Sequence, residues 1–447
     1  MSKMEYPASY STARELWDLK DGEQKIPIWV DCDTGHDDAF AILLAAHCPK
    51  LELLGVSTVH GNSSLTNTTR NTLSILEAIG KRNIDVFPGA EKPFCRDAAH
   101  APDIHGESGL DGTTILPAPV KVAKYTGTNE SVQAMYQALS STVRGTAWLV
   151  STGALTNIAL LFAIHPALAD HIAGLSVMGG AIGGFFTHAP IGRLRHRVPL
   201  SKSLSRKFPG GLPDDSNLSI SDVARRFKSL GLIQDGSDID DKRIELLLQE
   251  SRRSFGNTTD YAEFNIFCDP EAASSIFSNK RLAAKTTLIP LDVTHQVLGN
   301  REVIKILSNN YSGPANKLAE SAVRHLFLEI MMFFASTYER EFAMSEGPPL
   351  HDPIAVAAAF APQMFDDNDG ERFEVFVVKS GGETPFQSGR NTENVGQCGR
   401  TIARMVRKGE SGVRIPRSLR VGDFWAMIEL ALREADKLSP LTFNSLA

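Results

Sequence analysis

Four carboxylates fall within eight residues, at Asp31, Asp33, Asp37 and Asp38, directly after the apolar run IPIWV. Gathering like charges at the end of a buried strand is unfavourable unless something neutralises them; otherwise the carboxyl pKa values rise. A hard dication neutralises them directly, and Ca2+ accepts about six to eight oxygen ligands in flexible geometry. Gly35 lets the chain turn sharply between the two pairs. Asp38 then meets the start of a helix, where the helix dipole also favours an anion. A solvated acidic turn capping a helix would use the same residue types. The tight spacing after a core strand weighs against it, and the cluster points to a cation site.

Other chemical motifs fit less well. An EF-hand loop starting at Asp31 would place Gly35 where an acidic residue or Asn belongs. The stretch from Gly179 to Gly184 lacks the G-x-G-x-x-G spacing of a dinucleotide site, and no Walker A sequence occurs. Ser108 and Gly109 are adjacent, so HGESG is not a nucleophile elbow. Dehydrogenase, NTPase and serine-hydrolase chemistry are all disfavoured.

Positioning such a cluster requires strands. Short apolar runs recur at Ile28–Val30, Leu53–Val59, Ala147–Val150, Leu175–Met178 and Thr287–Leu291, alternating with helical segments. That pattern predicts an α/β fold, an open and mostly parallel Rossmann-like sheet with helices on both faces. The clearest helices are expected over Asp38–His47 and Asn67–Gly80, the second capped by Gly80. Ligands in such folds bind outside the carboxyl ends of the strands. Those ends carry the acidic cluster, His60 to Asn62, Ser151 to Gly153, Gly179 and Gly180, and Asp292 to His295.

The chain has 447 residues, 42% hydrophobic and 22% charged, with a formal net charge of −6. This is globular composition, and its slightly acidic balance gives no reason to expect nucleic-acid binding. Five scattered cysteines without C-x-x-C spacing argue against a disulfide framework or zinc site and fit a reducing compartment. No secretory signal or membrane-spanning run is visible, so a cytoplasmic protein without membrane partners is expected. Residues 1–25 read as a loosely held polar tail and 437–447 as a C-terminal tail. Residues 26–436 read as one domain, interrupted by an insertion at 183–256. Residues 185–213 carry six Lys/Arg and no acid, as a solvated loop would, whereas 219–253 have helical character. A surface insertion is the plain reading; a lid or partner-binding arm is the sharper one.

The segment DCDTGHDDAFAILLA resembles the N-terminal signature of the inosine-uridine preferring nucleoside hydrolase family. Seven further blocks resemble it in family order: TVHGN, DIHGESGLDG, STGALTNIA, VMGGA, AEFNIFCDPEAA, LDVTH and HDPIAVA. The resemblance covers residues 26–436 apart from 183–256. It implies a Rossmann-like single domain, assembled as a homodimer or homotetramer, that binds Ca2+. Asp33, Asp38, the Thr152 carbonyl and Asp352 are the implied metal ligands, with Asp33 also the general base. Asp37, Asn62, Asn257, Glu263 and Asn265 are expected around the ribose, and Met178 along the pocket.

Glycosidic cleavage develops positive charge on the sugar and negative charge on the departing base. A cation holding the ribose diol and a water supplies orientation and lowers the water's pKa. A histidine near neutral pKa suits protonation of the base. His351 is the leading candidate and His105 the second, while His36, His60 and His295 are read as supporting residues and Asp31 as support behind the cluster. A site built for the diol leaves a polar group unpaired with a deoxyribose, so ribonucleosides are the expected substrates. The alternatives are hydrolysis of another N-ribosyl compound, such as nicotinamide riboside, and a silent nucleoside-binding relative.

Overall fold

The computed structural model describes residues 6–124, 127–183, 186–187, 189, 255–309, 319, 321–380 and 397–443. Its main sheet has six strands in the order β3-β2-β1-β4-β5-β6, and every neighbouring pair is parallel. They are β1 (Ile26–Cys32), β2 (Leu51–Thr58), β3 (Val86–Pro88), β4 (Trp148–Ser151), β5 (Gly174–Met178) and β6 (Thr286–Ile289). The five expected apolar runs are β1, β2, β4, β5 and β6. β3 was not expected: its three residues include a proline and offer no apolar run.

The sheet divides two apolar layers because side chains alternate along a strand. Ile28, Val30 and Cys32 of β1 pack into one cluster and Trp29 into the other. Strand order reverses between β1 and β4, the position where open α/β sheets leave a crevice.

Several helices position the site. They are α1 (Tyr6–Trp17), α2 (His36–His47), α3 (Leu65–Ala78), α4 (Pro102–His105), α5 (Thr156–Ile164), α6 (Phe264–Cys268), α7 (Leu291–Thr294), α8 (Ala322–Phe342), α9 (Asp352–Phe360) and α10 (Val421–Leu438). α2 starts two residues earlier than expected because Gly35 is its N-cap. Asp38, three residues on, accepts the Gly35 N–H at 2.9 Å. α3 ends near Gly80, whose φ of 73° suits glycine, as expected.

The N-terminal segment differs from the expected loose tail. Residues 6–17 are helical, with Ala13, Leu16 and Trp17 buried. Tyr10 donates to Glu429 at 3.0 Å and Thr12 to Asp423 at 2.6 Å, both on α10. At the other terminus α10 stops at Leu438, and Ser439 donates to the Ala78 carbonyl at 2.6 Å. The edges of the expected insertion belong to the fold, since Phe186, Thr187 and Phe255 are buried. The expected solvated loop and helical segments, at 190–254, lie outside the described residues. Among the described residues no helix is long and apolar enough to cross a membrane.

Candidate active site

The acidic cluster is assembled where β1 gives way to α2. Asp31 still belongs to the strand, and its Oδ1 accepts from Asn157 at 2.8 Å and from Ser57, which also accepts from Trp29 at 2.9 Å. Burial pushes Asp31 up to about 7. Asp33 Oδ2 accepts the Asn62 N–H at 2.7 Å, while its Oδ1 is buried with no partner. Gly61 makes this approach possible, since a Cβ there would sit 2.0 Å from Asp33 Oδ2.

Asp38 is held on both oxygens. Oδ2 accepts from Gly35 and from Asn62 Nδ2 at 3.1 Å, and Oδ1 accepts from Thr152 Oγ1 at 2.8 Å. Asp37, Asp38 and Asp352, the last opening α9, bring carboxylate oxygens within 4.8 Å of one another. All three are buried. Burial and the neighbouring carboxylates raise Asp352 well above its ordinary value and Asp37 to about 7. The donor set of Asp37, Asp38 and Asp352 is oxygen only and fits a hard divalent cation; Asp33, outside that trio, keeps an unpartnered buried Oδ1.

β4 and β5 supply the facing wall. The Thr152 carbonyl accepts from Asn265 Nδ2 at 2.7 Å, which leaves its second lone pair free for a ligand. Asn265 Nδ2 also approaches the Met178 carbonyl at 3.3 Å. Glu263 is the N-cap of α6: Oε1 accepts from Asn265 N at 2.8 Å and Oε2 from Ile266 N at 3.0 Å. Glu263 Oε2 also accepts the Gly180 N–H at 2.8 Å, tying α6 to the exit of β5. Asn257 Oδ1 accepts the Phe264 N–H at 2.9 Å. These contacts orient the polar side chains that surround the cavity.

The cavity measures about 70 Å³ and is lined by Asp37, Asn62, His105, Thr152, Met178, Asn257, Glu263, Asn265, His351 and Asp352. Every expected substrate-side residue therefore meets there. Asp33 and Asp38, both wholly buried, are not part of its wall. Its remaining lining is largely apolar and aromatic, including Ile104, Phe264, Phe334, Tyr338 and Phe342.

With this geometry in place, the comparison with known proteins is decisive. Residues 28–426 match the family described as inosine-uridine preferring nucleoside hydrolase. The chain belongs to that family. It is 32% identical over 429 residues to a uridine nucleosidase of Saccharomyces cerevisiae, covering 93% of this chain and 98% of the relative. A pyrimidine-specific ribonucleoside hydrolase of Klebsiella pneumoniae is 28% identical, with 76% of this chain and 81% of the relative covered. The fold is similar to that of a purine-preferring ribonucleoside hydrolase from Gardnerella vaginalis. That structure gives a TM-score of 0.63 at 21% identity, covering 92% of this chain and 99% of that one. As a nucleoside hydrolase, the chain is an enzyme that hydrolyses N-glycosyl bonds.

Sequence reasoning missed part of this nucleoside hydrolase site. Tyr338 and Phe334 come from α8, which carries no recognisable motif. Their only signal was an aromatic-rich helical stretch, equally consistent with core. Yet the Tyr338 hydroxyl meets His351 Nε2 at 2.8 Å, and His351 Nδ1 meets Thr294 Oγ1 at 2.7 Å. Burial lowers His351 and His105 well below ordinary histidine, so both are neutral near pH 7. His295, read as a supporting residue, packs at 5.5 Å from the His351 ring.

Proposed function

We propose that this enzyme hydrolyses the N-glycosidic bond of ribonucleosides, uridine foremost, in a Ca2+-dependent reaction at this cavity. The observation that carries the reading is the buried Asp37, Asp38 and Asp352 set at the β1/β4 switch point, beside a cavity walled with amides. The names of the yeast and Klebsiella relatives support a pyrimidine nucleoside.

Asp33, Asp38, the Thr152 carbonyl and Asp352 would hold the cation, with Asp37 completing the acidic set. When bound, it supplies an anchor for the sugar hydroxyls and acidity for a water. Asn62, Asn257, Glu263 and Asn265 orient the ribose, with Met178 beside it. Asp33, buried behind the cavity wall with Oδ1 unpartnered, would be the base, taking one proton from the attacking water as the water oxygen bonds to C1′. The C1′–N bond breaks with its electron pair on the base. The base then takes a proton from solvent, to which Asp33 in turn releases the one it gained; the Tyr338 hydroxyl, held by His351, and His105 would hydrogen-bond the base as negative charge develops on it. His351, expected as the direct donor to the base, has both ring nitrogens engaged by Tyr338 and Thr294 and would act by holding the Tyr338 hydroxyl.

The test of the base is Asp33→Asn, nearly isosteric with the native side chain. Turnover should be abolished while the thermal melt in Ca2+ stays within a few degrees. Near-normal turnover would remove Asp33 from that role.

A further inference from the structure

One short loop, residues 179–183 at the exit of β5, joins the residues expected around the ribose. Gly180 donates its N–H to Glu263 Oε2 at 2.8 Å. With Asn265 N on Oε1 and Ile266 N on Oε2, three N–H groups fill three of roughly four acceptor positions on this carboxylate. The one left, on Oε1, is available to a ligand hydroxyl, so the place of Gly180 helps set where Glu263 aims it. At the far end of the loop Gly183 faces the Phe255 ring, two residues before Asn257; a Cβ there would lie 2.4 Å from that ring. Gly180 and Gly183 take φ of 77° and 69°, so the loop is irregular and its backbone groups need partners outside it. α7 supplies them. Asp292 accepts the Ile182 N–H on Oδ2 at 2.8 Å and the Gly183 N–H on Oδ1 at 3.0 Å, and Leu291 N donates to the Gly180 carbonyl at 2.9 Å. Asp292 is wholly buried. Burial raises its carboxyl to about 6, opposed by these backbone hydrogen bonds and by Arg417, so it remains a carboxylate at neutral pH.

We propose that Asp292 is a positioning residue of the ribose subsite: it clamps the 179–183 loop so that Gly180 and Phe255 hold Glu263 and Asn257 where the sugar binds. The assignment rests on the nucleoside reading of the cavity. Two buried carboxylates share the loop: Glu263 lines the cavity, whereas Asp292 does not and acts through the backbone between them. The same short helix also reaches the base side, where Thr294 Oγ1 meets His351 Nδ1 at 2.7 Å. That contact does not depend on the Asp292 side chain. α7 is closed by its own backbone, with Val293 N and Thr294 N donating to the Pro290 carbonyl at 2.9 and 3.1 Å. The effect of the Asp292 carboxylate therefore falls on the sugar.

The test measures steady-state kinetics on uridine, and inhibition by free D-ribose, with the Ca2+-loaded full chain. Asp292→Ala removes both acceptors and leaves two buried N–H groups unpaired. KM for uridine and the inhibition constant of ribose should both rise about tenfold, with kcat of the folded fraction kept within about threefold. Asp292→Asn is nearly isosteric and keeps one acceptor, so both constants should rise about threefold. Thr187→Val removes a hydroxyl that donates to the Asp292 carbonyl, not to its carboxylate, and should leave both constants unchanged. Neither constant depends on how much of a preparation is folded, so a poorly folding Asp292→Ala still gives its reading, and Asp292→Asn gives it independently. Constants within about twofold of wild type in both Asp292 variants overturn the proposal, whatever happens to kcat. An equal rise in Thr187→Val overturns it too, because any loosening near the loop would then suffice. Wild-type protein that binds Ca2+ but frees no ribose from uridine would instead refute the nucleoside reading; the Kd of free ribose in the same variants, by calorimetry, would still judge Asp292.

Discussion

The hydroxyl of Tyr338 lies 2.8 Å from Nε2 of His351, joining a helix without a motif to a motif histidine. With Thr294 on the opposite nitrogen, His351 has both ring nitrogens engaged inside the protein. Such an arrangement fixes the ring orientation and holds the Tyr338 hydroxyl at the cavity wall.

The pair should therefore behave as one unit. Tyr338→Phe keeps the ring and removes the hydroxyl, and kcat for uridine should fall by about 10²-fold, the loss of one hydrogen bond to developing negative charge. His351→Gln should fall at least as far, and the double variant little further than the worse single. Steady-state kinetics on all three proteins check this; additive losses would separate the two residues.

The buried acids make stability depend on pH and on the cation together. Without a cation, burial raises Asp31 and Asp37 from 3.8 to about 7. The native state then binds more protons than the unfolded chain between those values, so stability falls as pH rises from about 4 through 7. Ca2+ requires the ligands ionised, so its stabilisation grows over the same interval. Melting curves in chelator and in Ca2+ should diverge steadily from pH 5 to pH 7.5. A constant gap would contradict the assigned cation site.

A second buried charge group holds the scaffold rather than the chemistry. Arg324, 1% exposed at the start of α8, pairs with the wholly buried Glu429 on α10 at 3.4 Å and with Asp436 at 2.7 Å. Glu429 also accepts from Arg433 at 2.6 Å and from Tyr10 of α1. Removing Glu429 leaves the buried Arg324 with Asp436 as its carboxylate partner, at a cost of about 3 kcal/mol, the low end for a broken buried pair. Glu429→Ala should lower the denaturation free energy by that amount in urea unfolding, while uridine turnover of the folded fraction persists.

Much of this was legible because chemistry here sits at strand exits. Asp31 to Asp38, Asn62, Thr152 and Met178 each follow an apolar run, and a parallel sheet must gather those exits at one edge. Their burial and hydrogen bonds add what spacing could not: Glu263 as a helix cap, and Asp37 beside Asp38 and Asp352. Tyr338 and Phe334 were not legible, since an aromatic on a helix reads as core until the tertiary partner is known. α1 was missed for a related reason: its polar composition hides Ala13, Leu16 and Trp17, which find their cover only on α10.

The central claim is most directly tested by ribose release, measured as reducing sugar, from uridine, inosine, cytidine, 2′-deoxyuridine and nicotinamide riboside, each with chelator and with added Ca2+. Uridine should be cleaved, 2′-deoxyuridine should lag it by about tenfold or more, and chelator should abolish release until Ca2+ is restored. Folded, Ca2+-loaded protein that frees ribose from none of them would contradict the account; cleavage of nicotinamide riboside alone would contradict the assigned substrate.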